Sequence, residues 1–179
     1  MASIMSPATS FQDTKWRRVY EAKDFDKKGF VCSDDFAVWG KMAAKKLGVD
    51  IDDEGNGYWV TAGESYFGNT KSYDEWKEYF LAFMQNCPNY LETSQAINVT
   101  LFKGIDANKD GVVSVAEYKA FVTSLFPNMS DVDVEYGFNI IDENGDGVLS
   151  QSEVAIALTR YYYDAEDSKY KHFYGKWNE

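Results

Sequence analysis

The chain has 179 residues, of which 45% are hydrophobic and 17% aromatic, a composition that excludes wholesale disorder. Its 18 lysine and arginine residues against 29 aspartate and glutamate residues give a net charge of −11, so we expect cations as partners and no nucleic acid. No apolar run approaches the ~18 residues of a membrane span, and Cys32 and Cys87 are expected as reduced thiols in a cytoplasmic protein without membrane attachment.

Residues 1–10 lack the basic start and apolar centre of a signal peptide and are predicted to form a flexible N-terminus. The first patterned segment is residues 24–35, a twelve-residue frame with carboxylates at positions 1, 3 and 12 and glycine at position 6. This spacing is typical of the EF-hand calcium loop, in which short oxygen ligands surround the ion and the glycine allows a sharp turn. Its candidate metal ligands are Asp24, Asp26, the carbonyl of Phe30, and Asp35.

Two features of this first loop leave its metal site open. Lys28 puts a cation at position 5, where an oxygen ligand is needed. Asp35 at position 12 reaches less far than a glutamate and suits Mg²⁺ better than Ca²⁺. The loop therefore allows two interpretations, a weak metal site or a hand that keeps its fold without a metal.

Hands pair, so a second hand is expected before the next complete loop, and residues 64–75 are the candidate. Only Glu64, Ser72 and Glu75 offer ligating oxygens there, which predicts an empty hand that pairs with the first one. An acidic, glycine-rich stretch just before it, residues 50–57, is predicted to be a solvated loop between helices.

Two complete copies of the calcium-loop pattern follow, at residues 106–117 and 142–153. Both carry Asp at positions 1 and 5, Asn at 3, Gly at 6, an aliphatic residue at 8, Ser at 9 and Glu at 12. Side-chain oxygens at 1, 3, 5 and 12, a backbone carbonyl at 7 and a water held at 9 would surround Ca²⁺. The predicted ligands are Asp106, Asn108, Asp110, Val112, Ser114 and Glu117 in the first copy and Asp142, Asn144, Asp146, Val148, Ser150 and Glu153 in the second.

Apolar residues at helical spacing precede and follow these loops, which predicts an all-α fold. We expect four EF-hand helix–loop–helix units in two pairs, compact, with short paired strands between loops, such as Val113 against Leu149 at position 8. The N-terminal pair is expected over residues 11–86 and the C-terminal pair over 93–163. Residues 164–179 are expected to form an aromatic tail that packs on a core shared by both pairs.

Several of these features together resemble the sarcoplasmic calcium-binding protein family. They are the two complete loops, Trp16 followed by the half-loop 24–30 and by Asp35-Phe36, and the ending 172–175, His-Phe-Tyr-Gly. Relatives of that family include luciferin-binding proteins and calcium-regulated photoproteins. The resemblance implies a compact four-hand fold, with one or more degenerate loops, that acts as a Ca²⁺/Mg²⁺ buffer.

The photoprotein branch of these relatives implies several histidines around a bound luciferin. This chain has one histidine, His172, in the tail. Leu158 and Tyr162 stand where that branch carries a histidine and a tryptophan. The resemblance therefore does not extend to the photoprotein mechanism.

Three functions stay open on the sequence. The main interpretation is an intracellular Ca²⁺/Mg²⁺ buffer. The alternatives are calcium-dependent binding of a hydrophobic small molecule such as a luciferin, and a calcium sensor with a protein target. The aromatic residues that could line a ligand cavity, or simply pack together, are Trp16, Trp39, Trp59, Trp76 and Tyr162.

Enzyme motifs and self-association signals are not found in the sequence. It contains no nucleophile elbow, phosphate loop or histidine-based zinc motif, so an enzyme is not expected. It contains no coiled-coil seam, so a monomer is expected.

Overall fold

The computed structural model describes residues 8–68 and 71–177, in which the chain forms eight α-helices, a two-stranded antiparallel sheet and a short 3₁₀ helix. The α-helices are α1 (Ser10–Lys23), α2 (Ser33–Leu47), α3 (Asp53–Phe67), α4 (Tyr73–Asn86), α5 (Tyr90–Ile105), α6 (Val115–Leu125), α7 (Asp131–Ile141) and α8 (Gln151–Tyr163). The strands are β1 (Val112–Ser114) and β2 (Val148–Ser150), and the 3₁₀ helix spans Lys169–His172. The predicted all-α fold with short paired strands is confirmed.

The helices that follow the metal loops begin at side-chain caps. Ser114 accepts a hydrogen bond from the backbone N–H of Glu117, and the Glu117 carboxylate accepts one from the backbone N–H of Ser114 in return. Ser150 and Glu153 form the same reciprocal capping box at the start of α8. The residues at loop positions 9 and 12 therefore also fix where each exit helix starts.

The hands are joined in pairs through the eighth positions of their loops. Val113 pairs with Leu149 in the antiparallel sheet of β1 and β2. In the N-terminal half an isolated antiparallel bridge joins Val31 to Lys71, with mutual backbone hydrogen bonds of 3.1 and 3.3 Å. Val31 and Lys71 are the eighth residues of segments 24–35 and 64–75, so both halves use the same register.

The stretch 50–57 differs from the sequence prediction. It was expected as a solvated loop, which is wrong for residues 53–57, because α3 begins at Asp53. Asp52 caps this helix by accepting a hydrogen bond of 2.7 Å from the N–H of Gly55. The cap and the acidic first turn, which suits the positive end of the helix dipole, outweigh the low helix propensity of the two glycines.

The bounds of the other predicted segments shift slightly. The flexible terminus predicted for residues 1–10 is wrong at its end, because Thr9 caps α1 and the helix begins at Ser10. Residues 1–7 of that segment, and residues 178 and 179 of the predicted tail, lie outside the described residues. α5 begins at Tyr90 instead of residue 93, because Pro88 disfavours helix only at Cys87 before it and leaves the chain free to turn helical just after. Within the described residues no helix is long and apolar enough to cross a membrane.

The two halves share one aromatic core, in which four tryptophans are fully buried. The indole of Trp39 on α2 stacks on the ring of Phe121 on α6, with centroids 4.7 Å apart, and its Nε1 donates to the Phe121 carbonyl at 3.1 Å. Trp59 on α3 lies against Gly40 and Gly104, where an added Cβ would come within 2.5 and 2.9 Å of the indole. Glycine at these two positions therefore permits the close approach of α2, α3 and α5.

The segment after α8 returns to the core and packs on it. The hydroxyl of Tyr118 on α6 donates to the carbonyl of Phe173 at 2.7 Å and accepts from the N–H of Gly175 at 3.2 Å. The N–H of Lys176 donates to the carbonyl of Asp133 on α7. Tyr174 is fully buried, so this tail is part of the core and not a surface appendage.

Candidate metal centres and the core beside them

The loop at residues 106–117 is held in a curved conformation by its own carboxylates. Asp106 accepts hydrogen bonds from the N–H groups of Asp110 at 3.1 Å and Gly111 at 2.9 Å. Gly111 has φ of +89°, the left-handed conformation that glycine adopts without strain. Glu117 reaches back across the loop and accepts from the N–H of Ala107 at 3.0 Å. The carboxylates at positions 1 and 12 therefore both face the inside of the loop.

The loop at residues 142–153 repeats this arrangement, except that one of the bonds to its first residue comes from position 4 instead of position 5. Asp142 accepts from the N–H groups of Gly145 at 2.8 Å and Gly147 at 3.0 Å. Glu153 accepts from the N–H of Glu143 at 3.0 Å, the counterpart of the Glu117 bond. The two complete loops are thus folded alike, as their matching sequences require.

The donor sets of both loops fit a hard divalent cation, because every donor is an oxygen atom. Within the described part of the chain no three carboxylate, thiol or imidazole groups already converge as metal ligands. The predicted ligand sets do not consist of carboxylates alone. They also include the side-chain amide oxygen at position 3, the backbone carbonyl at position 7 and the serine oxygen at position 9. Burial raises the pKa of Asp106. The hydrogen bond from the N–H of Gly111 acts to lower this pKa, and the nearby negative charge of Glu117 raises it further. A divalent ion bound in the loop would reduce the repulsion between the carboxylates of Asp106 and Glu117.

The loop at residues 24–35 differs, because its carboxylates surround a lysine. The Nζ atom of Lys28 lies 2.6 Å from Asp35 Oδ1, 2.9 Å from Asp26 Oδ1 and 3.8 Å from Asp24 Oδ1. The ring of Phe30, whose carbonyl was the fourth candidate ligand, lies with its centroid 5.1 Å from the same nitrogen. The structure therefore brings the three candidate carboxylates together around an internal ammonium group.

In the second hand Ser72 and Glu75 are brought together, but as a helix cap. Glu64 lies in α3, which continues to Phe67, while Ser72 and Glu75 form the capping box that starts α4. Glu75 Oε2 accepts from the backbone N–H of Ser72 at 2.8 Å. This hand contributes its pairing bridge and its helices to the fold.

A buried lysine stands out in the core, and the loop pattern does not single it out. Lys23 ends α1 directly before Asp24, and only 3% of its surface is exposed. Its Nζ donates to the hydroxyl of Tyr162 at 3.0 Å. The centroids of four rings lie 5.1–5.7 Å from this nitrogen, those of Phe36, Trp39, Phe67 and Tyr162. Burial lowers the pKa of Lys23 to about 7.

One sequence signal could have found Lys23. It continues the apolar stripe of α1, three and four residues beyond Tyr20 and Val19, at the spacing of a buried helix face. A lysine on such a stripe is usually read as reaching out to solvent with its long side chain. The rings of α2, α3 and α8 close over it here, and that enclosure depends on how the two halves pack.

Further polar groups lie in the same core. The hydroxyls of Tyr162 and Tyr174 are 3.4 Å apart, and the Tyr66 hydroxyl donates to Asn98 Oδ1. Beside them a pocket with about 320 Å³ of empty space, including its open mouth, is lined by residues of α3, α4, α5 and α8. Phe80 and Tyr163 line it. The core between the halves therefore combines aromatic walls with a small set of buried hydrogen-bonding groups.

Comparison with known families supports the hands of the C-terminal half. A profile of the EF-hand family, described as "EF hand", matches residues 99–122 and 135–155, which contain the cores of both complete loops. The predicted resemblance to EF-hand proteins is confirmed, and these hands are calcium-binding motifs.

Among curated proteins, the luciferin-binding protein of Renilla reniformis is 30% identical to this chain over 79 residues. That match covers 44% of this chain and 43% of the relative, so it spans less than half of the relative's length.

Two solved structures share the fold of nearly the whole chain. The calcium-loaded apo form of the coelenterazine-binding protein from Renilla muelleri has a TM-score of 0.82 at 20% identity, covering 94% of this chain and 97% of that one. A complex of apoaequorin with (S)-HM-daCTZ has a TM-score of 0.66 at 16% identity, covering 98% and 96%. At these identities the likeness concerns the fold.

Proposed function

We propose that this EF-hand protein binds Ca²⁺ in its two C-terminal hands and, under the control of that ion, binds an apolar aromatic small molecule of the luciferin kind between its halves. The observation that carries the proposal is the amine of Lys23, buried among four rings with a phenol hydroxyl as its hydrogen-bond partner. The protein is taken as a cytoplasmic monomer, and Mg²⁺ is a second ion that the loops could accept.

A core that serves packing alone gains nothing from a buried amine. Desolvation of an ammonium group costs several kcal/mol unless it is well paired, and apolar side chains of similar volume usually stabilise a core at least as well. Lys23 has a neutral phenol as its partner instead of a carboxylate. A ligand with a hydrogen-bond acceptor would give the amine a stronger partner, which is why we assign Lys23 to ligand recognition.

The aromatic walls define the chemical class of the ligand. Flat apolar molecules are held by stacked and edge-on rings, while a few polar groups fix their orientation. Here Tyr162 contacts Tyr66, Trp76 and Phe80 at centroid distances of 5.5–6.4 Å. The names of the relatives agree with this class, since one is a luciferin-binding protein and another a coelenterazine-binding protein.

Ligand binding requires the rings to part. The cavity beside Phe80 and Tyr163 is about 30 Å³, about a tenth of the smallest volume in the ~300–1,000 Å³ range of small-molecule sites, so a ligand cannot enter the core as it is packed here. Phe80 lines this pocket, and its ring centroid lies 5.9 Å from that of Tyr162. Movement of these side chains would join the pocket to the amine of Lys23.

The loops are connected to the core through the helices that they start and end. Glu153 lies in the first turn of α8, and the same helix carries Tyr162 to the amine of Lys23. Gly104, two residues before the loop 106–117, accepts the hydrogen bond of Trp59. An ion that tightens either loop would therefore shift residues of the core, which is how we account for control by calcium.

The second candidate is a calcium buffer without an organic ligand. It is favoured by the closeness of the core packing, in which Trp16, Trp39 and Tyr161 are fully buried. Buffer hands change shape little when they bind calcium, and a filled core resists opening.

Titration of the full chain with coelenterazine, followed by quenching of tryptophan fluorescence, separates the two candidates. We expect saturable binding of one molecule per chain, with an affinity that differs between excess Ca²⁺ and chelator. The Glu117→Gln/Glu153→Gln double variant should lose that difference and keep the binding. Two bound calcium ions without saturable coelenterazine binding at micromolar protein would establish the buffer instead.

A further inference from the structure

We propose that Lys28 is the resident cation of the first hand, and that its ammonium group holds the loop at residues 24–35 closed at every calcium concentration. The position then becomes a divalent-ion site only when the charge of that side chain is removed. This inference concerns the N-terminal half and does not depend on any organic ligand.

The backbone of this loop is folded like the complete loops. Asp24 accepts hydrogen bonds from the N–H groups of Lys28 at 3.0 Å and Gly29 at 2.9 Å. In the loop at residues 106–117, Asp106 accepts from the corresponding positions at 3.1 and 2.9 Å. Gly29 has φ of +86°, close to the +89° of Gly111. The same winding therefore directs the oxygens of positions 1, 3 and 12 inward.

The twelfth residue shows what the lysine changes. Asp35 Oδ2 accepts from the N–H of Cys32 at 2.8 Å, as Glu117 Oε2 accepts from the N–H of Ser114 at 2.9 Å. The second oxygen of Asp35 contacts Lys28 Nζ at 2.6 Å. Because Lys28 extends into the loop, the shorter side chain of aspartate is long enough to close it.

The ammonium group stays charged in this position. Lys28 Nζ lies 2.6 Å from Asp35 Oδ1 and 2.9 Å from Asp26 Oδ1, and these two negative charges favour the charged form of the amine. A divalent ion would have to displace a charge that is covalently attached and always present at high effective concentration. Three carboxylates around one ammonium group therefore exclude the ion while keeping the hand folded.

The two halves would therefore differ in their response to calcium. The complete loops of the C-terminal half respond to the free calcium concentration. The first hand does not, and it fixes the end of α1 and the start of α2 on either side of the loop. Lys23, the residue before Asp24, is then held in the same place with and without calcium.

Calorimetric titration of the metal-stripped full chain with Ca²⁺ tests this inference. We expect two ions per chain for the wild type and three for Lys28→Asn, which supplies an oxygen at position 5. Lys27→Asn is the matched control, because it removes the same charge from the neighbouring lysine, whose Nζ contacts the Glu21 carbonyl instead; it should bind two. Three ions in the wild type, or two in a folded Lys28→Asn variant, would overturn the proposal.

Amide hydrogen exchange on the wild type keeps the test independent of variant folding. The Gly29 amide should be equally protected in chelator and in excess Ca²⁺, while the amides of Gly111 and Gly147 should gain protection when calcium is added. A gain of protection at Gly29 that follows the other two glycines would show an ion entering the first loop and would overturn the proposal.

Discussion

The indole nitrogen of Trp59 donates a hydrogen bond of 3.1 Å to the carbonyl of Gly104, two residues before the first ligand of the loop at residues 106–117. Trp59 belongs to the N-terminal half and Gly104 to the C-terminal half. Lys109, inside that loop, strengthens the same connection with ion pairs of 2.8 Å to Asp52 and 2.7 Å to Glu54. The first complete metal loop is therefore attached to the opposite half of the molecule on two sides.

Gly104→Ala should destabilise the protein. The added Cβ would lie 2.9 Å from Trp59 Nε1, and relieving such a contact in a packed core costs ~1–3 kcal/mol. Gly57→Ala on α3 is the control, because nothing lies within 4 Å of its added Cβ and a helical alanine gains ~0.5–1 kcal/mol over glycine. Urea unfolding followed by tryptophan fluorescence measures both. Equal changes in the free energy of unfolding for the two variants would contradict the close packing of Gly104 against Trp59.

Glu117→Gln and Glu153→Gln should each remove one tight calcium site. The substitution keeps the size of the side chain and deletes one of the charges facing the ion, so we expect the affinity of that loop to fall at least about tenfold, or ~1.4 kcal/mol. Glu75→Gln is the matched control at the twelfth position of the second hand and should leave calcium binding unchanged. Calorimetry in chelated buffer counts the sites; loss of a site in Glu75→Gln would show that the second hand binds metal.

Lys23→Met should make the ligand-free protein more stable and weaken its binding of coelenterazine. Replacing buried ionic groups by apolar side chains of similar volume is often neutral or stabilising, by up to about 1–4 kcal/mol for a buried ion pair, and we expect the same direction for this buried amine. The same variant loses the group that we assign to the ligand. Chemical unfolding and ligand titration test the two halves of this prediction, with the exposed Lys41→Met as control. A destabilised variant that binds the ligand as well as the wild type would assign Lys23 a purely structural role.

The stability of the wild type should rise with pH between about 7 and 9 in part because of Lys23. Burial lowers its folded pKa to about 7 from the ordinary 10.5, so the unfolded chain holds a proton that the folded chain has released. The free energy of unfolding then increases with pH, by up to ~1.4 kcal/mol per pH unit for this group. Burial also lowers the pKa of Lys15 to about 8, so Lys15 contributes to the rise in stability in the upper part of this pH range. In Lys23→Met the free energy of unfolding should rise less steeply with pH. If its slope against pH is unchanged, a group other than Lys23 causes the pH dependence.

Tyr118→Phe should release the C-terminal segment. It removes the hydroxyl that bonds the Phe173 carbonyl and the Gly175 N–H, and buried groups left without partners cost ~1–3 kcal/mol. Hydrogen exchange should become faster in residues 169–177. Tyr136→Phe on α7 is the control: the ring of Tyr136 also contacts the tail, at His172, but phenylalanine keeps that ring contact, so exchange in the tail should stay unchanged.

The loops and the fold class could be predicted from the sequence because their determinants are local. Asp, Gly and Glu at fixed positions of twelve residues constrain the backbone of 106–117 and 142–153, and Val113 pairs with Leu149 as expected. The start of α3 was missed because two glycines argued for a loop, whereas the cap at Asp52 decided for a helix. A pattern of residue types does not state which of two opposed local preferences is stronger.

The features of the core could not be read from the sequence, because they depend on contacts between distant residues. Lys23 is enclosed by rings from α2, α3 and α8, and its partner Tyr162 lies 139 residues further along the chain. The charge of Lys28 was readable at position 5, but the place of its Nζ among three carboxylates follows from the folded loop. Side-chain direction, and not residue type, separates these two lysines from the exposed ones.

The shared core has a practical consequence for cutting the chain. Trp39 stacks on Phe121 and Trp59 bonds Gly104, so each half completes the interior of the other, while the connection at Cys87 and Pro88 lies between two helices. We expect fragments divided at Pro88 to be poorly folded alone and to reassemble when mixed. Such a pair would form a complementation reporter in which calcium, acting on one fragment, governs recovery of the whole.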